Sequence, residues 1–110
     1  TARDYARFGL LYLNDGLFNG ERILPEGWVK YSTSAASASN GEYGSFFWLN
    51  KGKKLPSVPD DMFMCNGHDG QRIFIIPSKE LVVVVLGYSP VIKGGMDFDA
   101  LLRDIIHTIN

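Results

Sequence analysis

The sequence predicts an α+β fold, an antiparallel sheet of about three to four strands with flanking helices, one of them amphipathic and C-terminal. Three observations carry this. Apolar residues recur at helical spacing at both ends of the chain. Short runs rich in β-branched and aromatic residues lie between them. The last of these runs are joined by connections too short for crossover helices, which requires antiparallel neighbours.

Each element has its own signal. Thr1-Ala2-Arg3-Asp4 reads as a capping box, with apolar residues following at Tyr5, Phe8, Leu11 and Tyr12 and a left-handed stop at Asn14-Asp15-Gly16. Gly20 to Leu24 reads as a connector. Pro25 suits the first turn of a short helix carrying Trp28, Val29 and Tyr31, and Ser32 to Glu42 reads as a surface loop. Tyr43 to Leu49 is aromatic and short, as strands are; Met62 to Asn66, Arg72 to Ile76 and Leu81 to Leu86 are expected to be the next three. Pro77 to Glu80 is a turn. Leu81 to Leu86 is apolar throughout, so both its faces are expected to be covered. After a loop from Ser89 to Gly95, a helix from Asp97 is expected to lay its Phe98, Leu101 and Ile105 face on the sheet.

Composition narrows the function. Hydrophobic residues make up 45% and charged residues 21%, which argues against disorder. Lys and Arg number 11 against 12 Asp and Glu, and no basic stripe is visible, so nucleic acid is a poor partner. Cys65 is alone, which excludes an internal disulfide. No apolar run approaches the ~18 residues of a membrane span. Thr1 opens directly on a helix start, with no Met and no leader, so residues 1–110 are expected to be a single partial domain of a longer polypeptide.

A hydrolase needs a nucleophile, a base against it and donors for an oxyanion. Within these residues there is no Gly-x-Ser-x-Gly, Ser-x-x-Lys or His-Glu-x-x-His, and no phosphate-binding glycine loop. No metal site and no cofactor are indicated. The dense cluster is Cys65-Asn66-Gly67-His68-Asp69-Gly70-Gln71. It reads as a site-lining edge whose glycines permit close approach, or as a tight turn built from common hairpin dipeptides. The residues alone favour the turn. His107 on the last helix reads as solvated, Lys51, Lys53 and Lys54 as a solvated loop, and Asp60-Asp61 as neighbours that diverge in direction.

Several segments together resemble a known family. Thr1 to Leu11 is similar to a helix that recurs in class C β-lactamase-like serine hydrolases, and Leu24-Pro25-Glu26-Gly27-Trp28-Val29 to the segment after it. Tyr43-Gly44 running into Phe47-Trp48 fits as well. Gly67-His68-Asp69-Gly70-Gln71, followed by Ile73 to Pro77 and Leu81 to Val84, resembles the subgroup of 6-aminohexanoate-dimer hydrolases and related esterases. The order is right over nearly the whole chain.

The resemblance implies a partial β-lactamase/transpeptidase-like fold and a serine acyl-enzyme mechanism, with Ser-x-x-Lys and a Tyr-x-Asn-type element upstream of Thr1. This chain would supply the C-terminal strands and the edge that corresponds to Lys-Thr-Gly. Asn66, Gly67 and His68 are the expected catalytic edge on the oxyanion side, with Asp69, Gly70 and Gln71 binding substrate. Matching His68-Asp69-Gly70 to the triplet puts the donor at Gln71. Counting back from Pro77 puts it near Asn66, the preferred register because the next strand starts directly after Gly70. Neither register has the lysine, which favours esters or amides over lactams; lacking Ser-x-x-Lys, the chain is expected to be inactive alone. Family members are often bacterial and often exported; the compartment stays open. The alternatives are a non-catalytic module that pairs through a sheet edge, for instance as a homo-oligomer, and a cysteine hydrolase using Cys65 and His68.

Overall fold

The computed structural model describes residues 1–67, 71–87 and 96–109. His68, Asp69, Gly70 and the expected loop Ser89 to Gly95 lie outside the described residues.

Helix α1 (Ala2–Leu13) opens on the expected capping box, the Asp4 N–H donating to the Thr1 hydroxyl at 3.2 Å. It ends at Asn14, and left-handed Asp15 and Gly16 turn the chain back. The next segment is not a simple connector. Leu17–Phe18 (β1) and Glu21–Arg22 (β2) form a small antiparallel hairpin. Asn19 and Gly20 between them take φ of 51° and 79°, the pair of positive values that a type I′ turn requires.

Helix α2 (Trp28–Ser32) begins later than Pro25 suggests. Gly27, at φ 82°, is its N-cap, and Pro25 accepts the Trp28 N–H at 3.1 Å in the turn before it. The aromatic run is likewise mostly turn. Only Trp48–Leu49 (β3) joins the main sheet, while Tyr43 bridges back to Trp48 around left-handed Phe46. The Leu49 N–H donates to the Glu42 carbonyl at 2.7 Å. A Cβ on Gly44 would collide with the Ser32 carbonyl oxygen, so glycine alone lets this turn seat against α2.

The main sheet contains β3, β4 (Phe63–Asn66), β5 (Arg72–Ile76) and β6 (Leu81–Val85) in that order, all antiparallel. This is the expected meander. Strand alternation divides its side chains between two cores. On one face Phe47, Phe63, Ile73 and Ile75 pack with Tyr12 and Leu13 of α1. On the other, Met62, Phe74 and Ile76 pack with Leu102 and Ile106 of α3 (Phe98–Ile109). Burying a side chain such as Phe74 is worth roughly 1.5–3 kcal/mol. The expected α3 face is rotated by one position: Leu102 and Ile106 are buried, with Phe98, Leu101 and Ile105 half-buried beside them. β6 is half-buried throughout rather than fully covered.

The chain from Asn50 to Pro59 is held from inside. The buried Asn50 Nδ2 donates to the carbonyls of Leu55, Val58 and Pro59 at 3.0, 2.9 and 3.1 Å, and its Oδ1 accepts the Leu55 N–H at 2.9 Å. Asp61 has a structural task too. Its carboxylate accepts the Ser78 N–H at 2.7 Å and the Ser78 hydroxyl at 3.0 Å, fixing the 3₁₀ turn Pro77–Lys79 between β5 and β6.

Candidate active site

The glycine-rich cluster sits at the mouth of the β4–β5 hairpin. Asn66 is opposite Arg72 and Cys65 opposite Ile73, and one step further the Gly67 N–H donates to the Gln71 carbonyl at 2.8 Å. A Cβ on Gly67 would lie 3.3 Å from both the Cβ and the carbonyl oxygen of Gln71, so this position is tight for any side chain. Arg72 closes the mouth, its Nη1 donating to the carbonyls of Gly67 at 3.1 Å and Gln71 at 3.0 Å.

The Gly67 bond fixes which way the neighbouring backbone points. In an antiparallel ladder, successive residues direct their N–H and C=O alternately to the two sides. Gly67 and Cys65 therefore address β5, while Asn66 and Met64 address the β3 side. Met64 has a partner there, Trp48. β3 goes no further along β4, so the Asn66 N–H has no ladder partner among the described residues. An N–H aimed out of a sheet edge is the kind of fixed donor that can hold a developing oxyanion.

The Asn66 side chain is exposed and shares the α3 face with Met64 and Arg72. Cys65 faces the other way, packed against the α1-side core. Burial pushes its thiol above the ordinary cysteine value, the reverse of what a nucleophile needs. On that side a recess of about 210 Å³ is lined by Tyr5, Cys65, Gly67, Gln71 and Leu86 among others.

The fold thus brings Asn66, Gly67 and Gln71 to one hairpin mouth, with His68, Asp69 and Gly70 outside the described residues. No cluster of His, Cys, Asp and Glu that could hold a metal occurs among the described residues, and no helix among them is long and apolar enough to cross a membrane. Sequence reasoning missed Arg72 and Tyr5. A lone charge in the otherwise apolar run 72–76 was the available signal for the first; the second depends on how α1 lies across the sheet.

The fold matches a known structure along 99% of its length: a Bacillus anthracis protein, a candidate 6-aminohexanoate-dimer hydrolase, superposes with a TM-score of 0.72 at 28% identity. The chain is similar to part of a hydrolase. It covers 29% of that protein. An uncharacterized protein of Alkalihalophilus pseudofirmus is 30% identical over 96 aligned positions, which take in 76% of this chain and 28% of that one. The chain therefore spans under a third of the length of either. No family model matches it.

Proposed function

We propose that residues 1–110 are one partial domain at the C-terminal end of a β-lactamase-like serine hydrolase acting on small esters or amides. The supporting observation is the match along 99% of this chain to part of a candidate hydrolase. The outward N–H at Asn66 is consistent with it. In this reading a serine of the remaining polypeptide attacks the substrate carbonyl. The negative charge on the carbonyl oxygen is taken up by the Asn66 N–H together with the serine's own. The bond to the leaving group breaks as the serine proton passes, through a lysine, to the departing alcohol or amine, and water then releases the acyl group. Gly67 and His68 would complete the catalytic edge, and Asp69, Gly70 and Gln71 would contact substrate.

The test begins with the coding region upstream of Thr1. A Ser-x-x-Lys on a helical pattern supports the reading, and a start codon next to Thr1 with no such pair ends it. The chain alone is expected neither to turn over a chromogenic ester nor to label with a fluorophosphonate.

A second reading, a non-catalytic module that pairs through a sheet edge, is favoured by one feature. β5 bonds β6 through Arg72, Phe74 and Ile76, opposite Val85, Val83 and Leu81. The backbone groups of Val82 and Val84 consequently point out of the sheet, with no partner among the described residues.

A further inference from the structure

On the α3 face of the sheet, away from α1, lies a pocket of about 340 Å³. Met64, Phe74 and Phe98 are among the residues of its floor, with Trp48 and Leu55 beside them. Its charged groups stand at two ends, and Asn50 is also in its lining. Lys54 and Glu42 pair with each other at 3.2 Å at one end. At the other are Asn66 and Arg72.

Arg72 is set up differently from a surface arginine. Its guanidinium carbon lies 4.9 Å from the centroid of the Phe98 ring, and Phe98 in turn packs on Phe74 with ring centroids 5.3 Å apart. Its guanidinium hydrogen-bonds, among the described residues, through Nη1 alone, to the backbone carbonyls of Gly67 and Gln71. Among the described residues it has no carboxylate partner. Burial lowers its pKa from the ordinary arginine value, as expected of a cation partly stripped of water. An apolar pocket with a cation fixed on its rim, whose Nε and Nη2 have no partner among the described residues, has the chemistry of a carboxylate site.

We propose that this pocket binds a small amphiphilic carboxylate, its apolar chain on Met64, Phe74 and Phe98 and its carboxylate on the Arg72 guanidinium. The inference does not depend on the hydrolase reading. Glu42 is already matched by Lys54, so among the described residues the uncompensated charge is positive and selects an anion over a cation. The floor is apolar, so it selects a chain-bearing acid over an inorganic anion.

The test is calorimetric titration of the 110-residue chain with octanoate, octanol, octylamine and acetate. Saturable one-to-one binding of octanoate is expected, with octanol about tenfold weaker for want of the charge-assisted contact. Octylamine and acetate should be weaker still. Arg72→Gln should bring octanoate down to the level of octanol, and Arg72→Lys should keep part of the preference. Should Arg72→Gln fail to fold, the order among the four ligands on the unsubstituted chain decides the matter. Equal affinity for octanoate and octanol, or no saturable octanoate binding, overturns the proposal.

Discussion

Gly9 of α1 lies directly over Val82 of β6: a Cβ placed on Gly9 would sit 2.6 Å from Val82 Cγ1 and 3.4 Å from Cγ2. The helix rests on the sheet at a distance that only a missing side chain allows. Gly9→Ala would gain about 1 kcal/mol in helix propensity. It would also force Val82 from its position, and overpacking of this kind costs typically 1–3 kcal/mol. We expect a net loss of about 1 kcal/mol in denaturant unfolding. Pairing it with Val82→Ala should recover most of that loss, because the two changes share one space. Additive losses would show that the helix stands further off.

Asn50 carries the segment after β3. It is 1% exposed, and its amide bonds three carbonyls and one N–H. Asn50→Ala leaves the Leu55 N–H unpaired, whereas the carbonyls of Leu55, Val58 and Pro59 keep the Val58 N–H, the Lys53 Nζ and the Met62 N–H. One buried orphan donor and three weakened acceptors are expected to cost about 1–3 kcal/mol. Asn50→Asp should be no better, because a carboxylate cannot donate to the carbonyls of Leu55, Val58 and Pro59. A loss under 1 kcal/mol in thermal or urea unfolding would mean that solvent replaces the amide.

How far the sequence reveals the fold depends on the range of the interactions that decide each element. The meander and both long helices rest on local signals, the Val and Ile runs, the Pro77 turn and the Thr1 cap, and these are legible. The β1–β2 hairpin had its signal in Asn19-Gly20, but two-residue strands are too short to display alternation. Tyr43 to Phe47 has strand composition, yet Gly44 is pressed on Ser32 and Phe46 is 88% exposed in the left-handed region. That outcome is tertiary. At the site, the sequence picks out the right cluster but not the direction of the Asn66 N–H. The direction follows from the Gly67–Gln71 bond and from where β3 stops, and neither is a property of the residues themselves.

Cys65 should behave as a packed thiol. With its pKa raised by burial, the thiolate is scarcer at neutral pH than in an unfolded chain, so alkylation by iodoacetamide should be slower than for a free cysteine and should quicken as pH rises. Linkage gives the sign for stability. A raised folded-state pKa makes a contribution that is complete below the unfolded value and is lost as pH climbs through the folded one, so this site weakens the fold only in alkali. Fast labelling of Cys65 at pH 7 would revive a cysteine nucleophile.

The direction of the Asn66 N–H predicts a contrast between two proline substitutions. Asn66→Pro removes no β4–β5 hydrogen bond, whereas Cys65→Pro removes the one to Ile73 and adds a ring inside the ladder, at a cost of about 3 kcal/mol or more. Urea unfolding should rank them in that order. In the longer polypeptide of the proposed hydrolase, Asn66→Ala keeps the donor and should change turnover little. Asn66→Pro deletes it and should lower kcat about 10²–10³-fold. Equal losses for alanine and proline would rule the backbone donor out.

The outer edge of β6 allows the two functional readings to be separated in one experiment on the chain itself. The amides of Leu81, Val83 and Val85 point at β5, while those of Val82 and Val84 point away. In a monomer, amide exchange followed residue by residue should therefore alternate, slow at the first three and fast at the other two. A second copy docked antiparallel about Val83 would pair Val82 of each chain with Val84 of the other. That register satisfies all the outward groups at once, and no charged residue lies within Leu81–Val85 to oppose it. Protection at Val82 and Val84 that grows with protein concentration is thus the signature of an assembly module. Alternating exchange that is unchanged on dilution excludes self-pairing and leaves this edge open for another part of a longer chain.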